Sequence, residues 1–500
     1  MPVSLLEFAD SVRREVRANP IHTRAALGQF MTPASIAAFM ARMVKTRRRL
    51  LRVLDPGAGV GSLTAAIVER LISRAQPPLG ISVTCYEIDG RLVGALRQTL
   101  ETCRRACTQH GVSFTCEVRN EDYIAARTSA SSGLFAVDAK SYECVIMNPP
   151  YRKIHSASAE RQRLRSVGIE TTNLYAAFML LAARQLAPGG EFVSISPRSF
   201  CNGTYFDPFR RELLRLVSLR RLHVFESRSE AFRDDDVLQE NIVVHGIRSN
   251  AQPPSVTLSC TRTDGSLVQR QVPFAQVVRP GDRESIVHVA VDDRADELAS
   301  VLTALPHRLT DLKLTVSTGR VVDFRARTYL RPEPVRDTVP LIYPAHMHDG
   351  YIKWPNGQTR KPNAIVACEQ TNALLIPSGY YVLVKRFSAK EERRRIVAAM
   401  YDPTRIPARR VGFDNKTNYF HAGGSGMDGD VARGLAAYLN SKAVDDYFRV
   451  FSGHTQVNAA DLRRMPYPSL KQLRQLGTAV EPGDHDTIDA VVRPMLQSAS

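Results

Sequence analysis

The sequence predicts a doubly wound, mainly parallel α/β sheet over residues 1–249, a second, mixed α/β domain over 250–480, and a polar tail over 481–500. Three observations carry this. From about residue 50 to 247, short apolar runs alternate with helix-period segments, the pattern of successive βαβ units. A glycine-dense loop at 57–61 directly follows the first of those runs. At 250–254 the texture changes to Asn-Ala-Gln-Pro-Pro, which reads as a linker, and the alternation does not resume.

The elements follow in order. Residues 1–26 and 33–50 read as helices, the second ending in the basic run Lys45-Thr46-Arg47-Arg48-Arg49. A strand at 50–54 stops at Asp55, and the helix after the glycine loop runs from 62 to 74. Gln76-Pro77-Pro78 breaks the pattern before a strand at 81–86. A helix over 92–107 and a strand over 114–118 come next, then a Ser-rich loop at 128–133. Cys144-Val145-Ile146-Met147 is a buried-looking strand ending at Asn148, and 174–186 is a strongly apolar helix closed by Pro188-Gly189-Gly190. Beyond 250 only short β-like runs (341–343, 380–384) and a late helix (431–439) stand out among many prolines.

Composition bounds the partners. The chain has 500 residues and a net charge of +17, from 67 Lys and Arg against 50 Asp and Glu. That surplus favours a polyanionic partner. No apolar run reaches membrane-spanning length and the first 20 residues lack a signal-peptide core, so a cytoplasmic location and no membrane partner are expected. The eight cysteines form no C-x-x-C pair or zinc-finger spacing, so free thiols and no metal are expected.

Two segments carry chemistry. Asp55-Pro56-Gly57-Ala58-Gly59-Val60-Gly61 lies at the carboxyl end of a strand, where glycines let the backbone approach a ligand. Glu87, in Tyr86-Glu87-Ile88-Asp89, ends the next strand, where a carboxylate can accept both hydroxyls of a ribose. The separation from the loop exceeds the roughly 20 residues usual for such an acid, an excess that the insertion at 77–78 explains. Asp55 would repel a pyrophosphate but suits a methionyl ammonium, which favours S-adenosylmethionine over a dinucleotide. The second segment is Asn148-Pro149-Pro150-Tyr151. Its prolines fix an extended turn and remove two backbone donors. The Asn148 side-chain oxygen and the Pro149 carbonyl can then accept both hydrogens of one exocyclic amine, which localises the nitrogen lone pair for attack. Tyr151 offers a face on which a base can stack, a contact worth roughly 1–3 kcal/mol.

On these residues the chain resembles the N6-adenine DNA methyltransferases of bacterial restriction–modification systems, in the gamma order of motifs. The resemblance covers about 25–250 and implies a cofactor, S-adenosylmethionine, and a role for each motif. Leu27-Gly28-Gln29-Phe30-Met31-Thr32-Pro33 is similar to the N-terminal cofactor motif, with Gln29, Phe30 and Thr32 in the site. Asp55, Gly57, Ala58, Gly59 and Gly61 match the main cofactor loop, Glu87 and Ile88 the ribose-binding position, and Asp122-Tyr123 the adenine-contacting pair. Asn148 to Tyr151 match the catalytic motif without departure. Phe232 falls where the family places an aromatic on the other face of a flipped base, although Asp234-Asp235-Asp236 beside it is more acidic than expected near DNA.

The resemblance further implies double-stranded DNA as substrate, a monomer in the bacterial cytoplasm, and a cognate restriction endonuclease as genetic partner. The general texture is similar to methylases of PstI-like systems, which would imply a palindromic site of the CTGCAG type. The second domain is the expected DNA reader, with Lys353 beside Trp354, Lys385, Arg386, Arg394 and Lys416 as contact candidates. Gly453-His454-Thr455 lies in a segment similar to the end of such domains, and no base is asked of His454 because the amine loses its proton after attack. The same tetrapeptide also serves methyltransferases acting on RNA amines or a protein glutamine. A catalytically inactive DNA-binding homologue is a further alternative. C5 methylation of cytosine is excluded, since the chain has no Pro-Cys dipeptide.

Overall fold

A computed structural model describes residues 4–18, 30–130, 141–226, 240–291, 301–302, 305–388, 392–451 and 456–497. Two compact units divide the chain, 1–291 and 292–500.

The first unit is built on nine described strands: β1 Leu50–Pro56, β2 Gly80–Tyr86, β3 Ser113–Arg119, β4 Tyr142–Met147, β5 Leu186–Pro197, β6 Val217–Phe225, β7 Asn241–Arg248, β8 Ser255–Thr261 and β9 Leu267–Pro273. Their order in the sheet is β3-β2-β1-β4-β5-β7-β6-β8-β9. The first five are parallel to one another, and β7 runs antiparallel between β5 and β6. This is the doubly wound, mainly parallel sheet that the sequence predicts.

Strand β4 shows why the sheet is covered twice. Cys144 and Ile146 enter one core cluster, while Val145 and Met147 enter the other. An unbroken apolar run is what a strand buried on both faces requires. Helices α1 Leu5–Ala18, α2 Ala34–Met43, α3 Ser62–Ile72 and α4 Gly90–Gln109 feed the first cluster. Helices α5 Tyr123–Ala130, α6 Ala159–Ser166, α7 Leu174–Arg184 and α8 Asp207–Leu216 feed the second. Every residue of α7 from Leu174 to Ala183 is buried, so its apolar character on all sides is that of a core helix.

Two expectations about layout are corrected. The first unit does not stop at 249. Strand β8 pairs in parallel with β6, and β9 pairs with β8, so the sheet continues past the Pro-Pro segment, and the compact unit ends at Val291. The stretch after 480 is not a loose tail. It forms the helix His485–Gln497, which buries Ile488, Val492 and Leu496 at a spacing of four.

The second unit is mixed α/β, as its texture implies. One sheet has six described strands and another five. In the larger, Tyr381–Lys385 pairs antiparallel with Ala398–Tyr401 and with Thr417–His421, which also pairs with Thr315–Thr318. Helices Gly429–Asn440 and Leu470–Ala479 follow. None of the eight cysteines is in a disulfide. Among the described residues no helix is long and apolar enough to cross a membrane, and no cluster of His, Cys, Asp or Glu is arranged to hold a metal.

Candidate functional site

The carboxyl ends of β1, β2 and β4 open onto one cleft, lined by both motif segments and the loop before α2. This is where open α/β sheets bind ligands.

The glycine loop forms the floor. Gly57 and Ala58 donate their N–H groups to the Tyr86 carbonyl at 2.9 Å each, which clamps the loop to β2. Gly59 has φ +57°, in the left-handed region that favours glycine, and a side chain there would meet no protein atom within 4 Å. The position is therefore kept bare for backbone geometry and for whatever fills the cleft. Glu87 is 2% exposed and ties the loop from the other side: its Oε2 accepts from Gly59 at 2.8 Å and its Oε1 from Asp89 at 2.8 Å. Burial raises its pKa against the pull of those amides. Ile88, Asp122 and Tyr123 line the same cleft. The Asp122 Oδ1 caps α5 by accepting from Ile124 at 2.8 Å, which fixes the carboxyl at the cleft wall. The Tyr123 ring is buried edge-on against Tyr86, and its hydroxyl accepts from Gln185.

Asp55 departs from expectation. It is fully buried and does not line the cleft, so it does not face a ligand directly. Its Oδ2 accepts from the Thr64 hydroxyl at 2.7 Å, while its Oδ1 is buried with no partner among the described residues. Burial lifts its pKa to about 7, with Thr64 opposing and the Glu87 charge adding to the rise; Cys85 and Cys144 are the other titratable neighbours. The sign follows directly. Between 3.8 and about 7 the folded protein holds a proton that the unfolded chain has released, so stability falls as pH rises through that window. Asp55→Asn cannot ionise. Without ligand, its stability relative to the natural chain is expected to increase from pH 5 to pH 8 by up to ~3 kcal/mol, at about 1.4 kcal/mol per pH unit. Urea unfolding at the two pH values measures this, and an equal difference at both would contradict it.

The Asn148–Tyr151 tetrapeptide closes the other side, with Asn148 and Pro150 on the cleft wall. Asn148 Nδ2 donates to the Phe30 carbonyl at 2.7 Å and to Thr32 Oγ1 at 3.1 Å. Only the amide nitrogen can donate to a carbonyl, so the side-chain orientation is forced. The Asn148 Oδ1 is left buried and without a partner among the described residues. Phe30 and Thr32, expected to contact a cofactor, thus also orient the Asn148 side chain. Tyr151 packs against Phe30 with ring centroids 5.3 Å apart and edge-on to Tyr175 at 6.4 Å.

Several lining residues gave no signal in the sequence. Phe178 and Leu174 of the core helix α7 face the cleft, and so does Ser62, whose Oγ is buried without a partner among the described residues. Arg152 and Glu160 form an ion pair at 3.2 Å on the wall. The charged lining is Glu87, Glu121, Asp122 and Glu160 against Arg152. Four acids against one base suit a positively charged ligand, in a chain whose net charge is +17. Gln29 and Phe232 lie outside the described residues, as does His454.

Residues 100–232 match the family described as Eco57I restriction-modification methylase. The chain is 42% identical over 502 residues to the type II methyltransferase M.PstI of Providencia stuartii, across 99% of this chain and 98% of that protein. The chain belongs to the type II methyltransferases. It is also 42% identical over 480 residues to M.BsuBI of Bacillus subtilis, across 95% of this chain and 93% of that one. In fold it is similar to the protein of a DrdV–DNA complex determined by cryo-EM, with a TM-score of 0.51, 13% identity, and coverage of 95% of this chain and 59% of that chain.

In this methyltransferase the basic candidates of the second unit are mostly engaged locally. Lys385 pairs with Glu392 at 2.8 Å, Lys353 with Asp349 at 3.3 Å, and Arg394 donates to the Asn440 carbonyl. Arg395 is buried and donates to Ser388. Trp354 belongs to the core, where its Nε1 donates to the Asn363 carbonyl. Arg386 and Lys416 remain on a partly exposed face.

Proposed function

We propose that this methyltransferase transfers the methyl group of S-adenosylmethionine to the N6 amine of an adenine flipped out of a specific duplex DNA site. The observation that carries this reading is the Asn148 amide. Its nitrogen is held by Phe30 and Thr32, and its oxygen is buried, unpartnered among the described residues, and placed on the wall of a cleft with an acidic lining. A buried acceptor without a partner costs on the order of 1–3 kcal/mol, so an amine donor that enters the cleft relieves that cost.

When bound, S-adenosylmethionine supplies a methyl group on a cationic sulfonium, and the acidic lining suits that charge. The bare Gly59, the Glu87 carboxylate and the α7 ring of Phe178 suit its nucleoside part. Asn148 Oδ1 and the Pro149 carbonyl accept the two amine hydrogens, which localises the lone pair on nitrogen. Tyr151 and, by resemblance, Phe232 flank the base. Flipping costs a few kcal/mol, which these contacts offset. After transfer the amine releases its extra proton to solvent, so no strong protein base is needed. As in a restriction–modification pair, the modified site is protected from a cognate endonuclease of the same host, with the enzyme acting as a monomer in the bacterial cytoplasm. The resemblance to PstI-like methylases points to a CTGCAG-type palindrome.

The test is direct. The protein is incubated with tritiated S-adenosylmethionine and unmethylated bacterial DNA, which is then digested to nucleosides. Label in N6-methyladenine nucleoside is expected. Label confined to protein or RNA, or in N4-methylcytosine, overturns the reading.

A further inference from the structure

At one end of its larger sheet the second unit gathers a cluster of cations, with an exposed phenyl ring on each of two of the segments that carry them. Strands Tyr381–Lys385 and Thr417–His421 are antiparallel, with Lys385 opposite Thr417. The residues just past one strand, Arg386 and Phe387, and the residue just before the other, Lys416, therefore share one end of the sheet. The bridge between Val321 and Asp414 brings the short helix Asp323–Ala326 to the same end. Phe324 is 77% exposed and Phe387 46%. Each ring carries an arginine: Arg325 lies 5.5 Å from the centroid of Phe324, and Arg386 lies 5.7 Å from that of Phe387.

Lys416 joins the two pairs. Its ammonium lies 3.7 Å from Asp323 Oδ2, and its carbonyl accepts from the Arg386 N–H at 2.9 Å. Lys361 lies 2.9 Å from the same Asp323 oxygen. The platform beneath is rigid. Asp414 is buried, accepts from the Lys416 N–H at 3.0 Å, and its own N–H donates to the Ile342 carbonyl. Arg386 Nη1 donates to the Asn415 carbonyl at 3.1 Å. Burial and the neighbouring Asp323 raise the Asp414 pKa to about 7. Four cations, Arg325, Lys361, Arg386 and Lys416, thus gather around Asp323, and the buried Asp414 adds its full charge only above neutral pH.

We propose that this face, formed by Phe324, Arg325, Lys361, Arg386, Phe387 and Lys416, is the surface through which the second unit grips duplex DNA. The cations sit on phosphates, and the phenyl rings lie against sugars and base edges in a groove, where apolar side chains beside arginines deform and hold the duplex. Single exposed hydrophobics are common on any protein. Two rings, each under an arginine and joined by a lysine cluster, are arranged for a partner that is both anionic and apolar. The proposal rests on the reading of the chain as a DNA methyltransferase.

Two double variants of the full chain test it, Phe324→Ala with Phe387→Ala and Arg325→Gln with Arg386→Gln. Duplex binding is measured over a salt series, and S-adenosylmethionine binding by calorimetry. The ring variant is expected to bind duplex about tenfold more weakly or worse. The arginine variant is expected to lower the slope of log affinity against log salt by about 2, since each phosphate contact contributes about 0.9. Cofactor affinity is expected to stay within about twofold of the natural chain. Both rings are exposed, so unfolding is checked by thermal melt. Phe324→Lys with Phe387→Lys is a second variant that keeps length and adds charge; it should still lose specific over non-specific binding. If the variants match the natural chain in duplex affinity and salt slope, the proposal fails although the methyltransferase reading stands. Weaker binding of single strands alone also overturns it. If the natural chain itself neither binds nor methylates duplex, the underlying reading fails instead.

Discussion

Asn148→Ala is expected to lower the methyl-transfer rate by about 10³-fold or more while leaving S-adenosylmethionine affinity within about threefold. Removal of one preorganised hydrogen-bonding group from the centre of developing charge typically costs 10²–10³ in rate. In the proposed mechanism Asn148 combines that role with the placement of the base, so the loss lies at the upper end. Cofactor affinity is spared because the glycine loop, Glu87 and Asp122 do not depend on the Asn148 side chain for their own hydrogen bonds. A second substitution separates chemistry from folding. Thr32→Val keeps Asn148 and the Phe30 carbonyl but removes one of the two acceptors that orient the amide. It is expected to lower kcat by about tenfold, near the net worth of one hydrogen bond, with little change in the KM for the cofactor. Single-turnover rates and equilibrium dialysis measure both. Unchanged turnover in Asn148→Ala would remove this side chain from the mechanism.

The parts of this site that were legible in the sequence are those where the backbone itself does the work. Gly57, Gly59 and Gly61 all have positive φ, a conformation that glycine alone adopts freely, so the loop is visible as spelling. The Asn148 tetrapeptide is visible for the same reason, since two consecutive prolines dictate its path. Strand β4 shows itself because both faces are buried. Side-chain direction was not legible. Asp55 ends its strand as an acid would at a ligand site, yet it points beneath the loop to Thr64, and the cleft takes its negative charge from residues scattered over three segments. Nor does an apolar period reveal its partner: α7 reads as a core helix, and two residues of it, Leu174 and Phe178, also line the cleft.

The domain boundary failed for a related reason. Gln252-Pro253-Pro254 has the composition of a linker, but Gln252 Oε1 accepts from Leu219 and its Nε2 donates to Leu214 and Val217, so the segment is fastened to the sheet it was expected to leave. In the second unit the strands are short and their partners distant. Thr315–Thr318 pairs with Thr417–His421 across about a hundred residues, and no local pattern encodes such pairing.

The second large effect is expected from a pair of glycines that the sequence presents without comment. Helices Gly429–Asn440 and Leu470–Ala479 cross at Gly434 and Gly477. A Cβ on Gly434 would overlap the Leu473 carbonyl, and one on Gly477 would overlap the Asp430 carbonyl. Both obstacles are backbone, so no side-chain rotation relieves them and the helices must separate. Separation opens the contact around Leu435, Leu473 and Leu476, all 2% exposed or less. Gly434→Ala would gain roughly 1 kcal/mol from helix propensity in isolation. Overpacking of a close crossing costs about 1–3 kcal/mol and more where backbone must move, so the balance is loss. The substitution is expected to destabilise the second unit by about 2–4 kcal/mol, and Gly434→Val by more. Gly357→Ala is the control, because a Cβ there meets nothing within 4 Å; it should change stability by less than about 0.5 kcal/mol. Urea unfolding followed by circular dichroism measures the difference. Among the described residues the cleft is lined by the first unit alone, so S-adenosylmethionine binding should survive in Gly434→Ala at temperatures where duplex binding is already lost. Stability equal to that of the natural chain would show that the crossing has room which the backbone geometry denies.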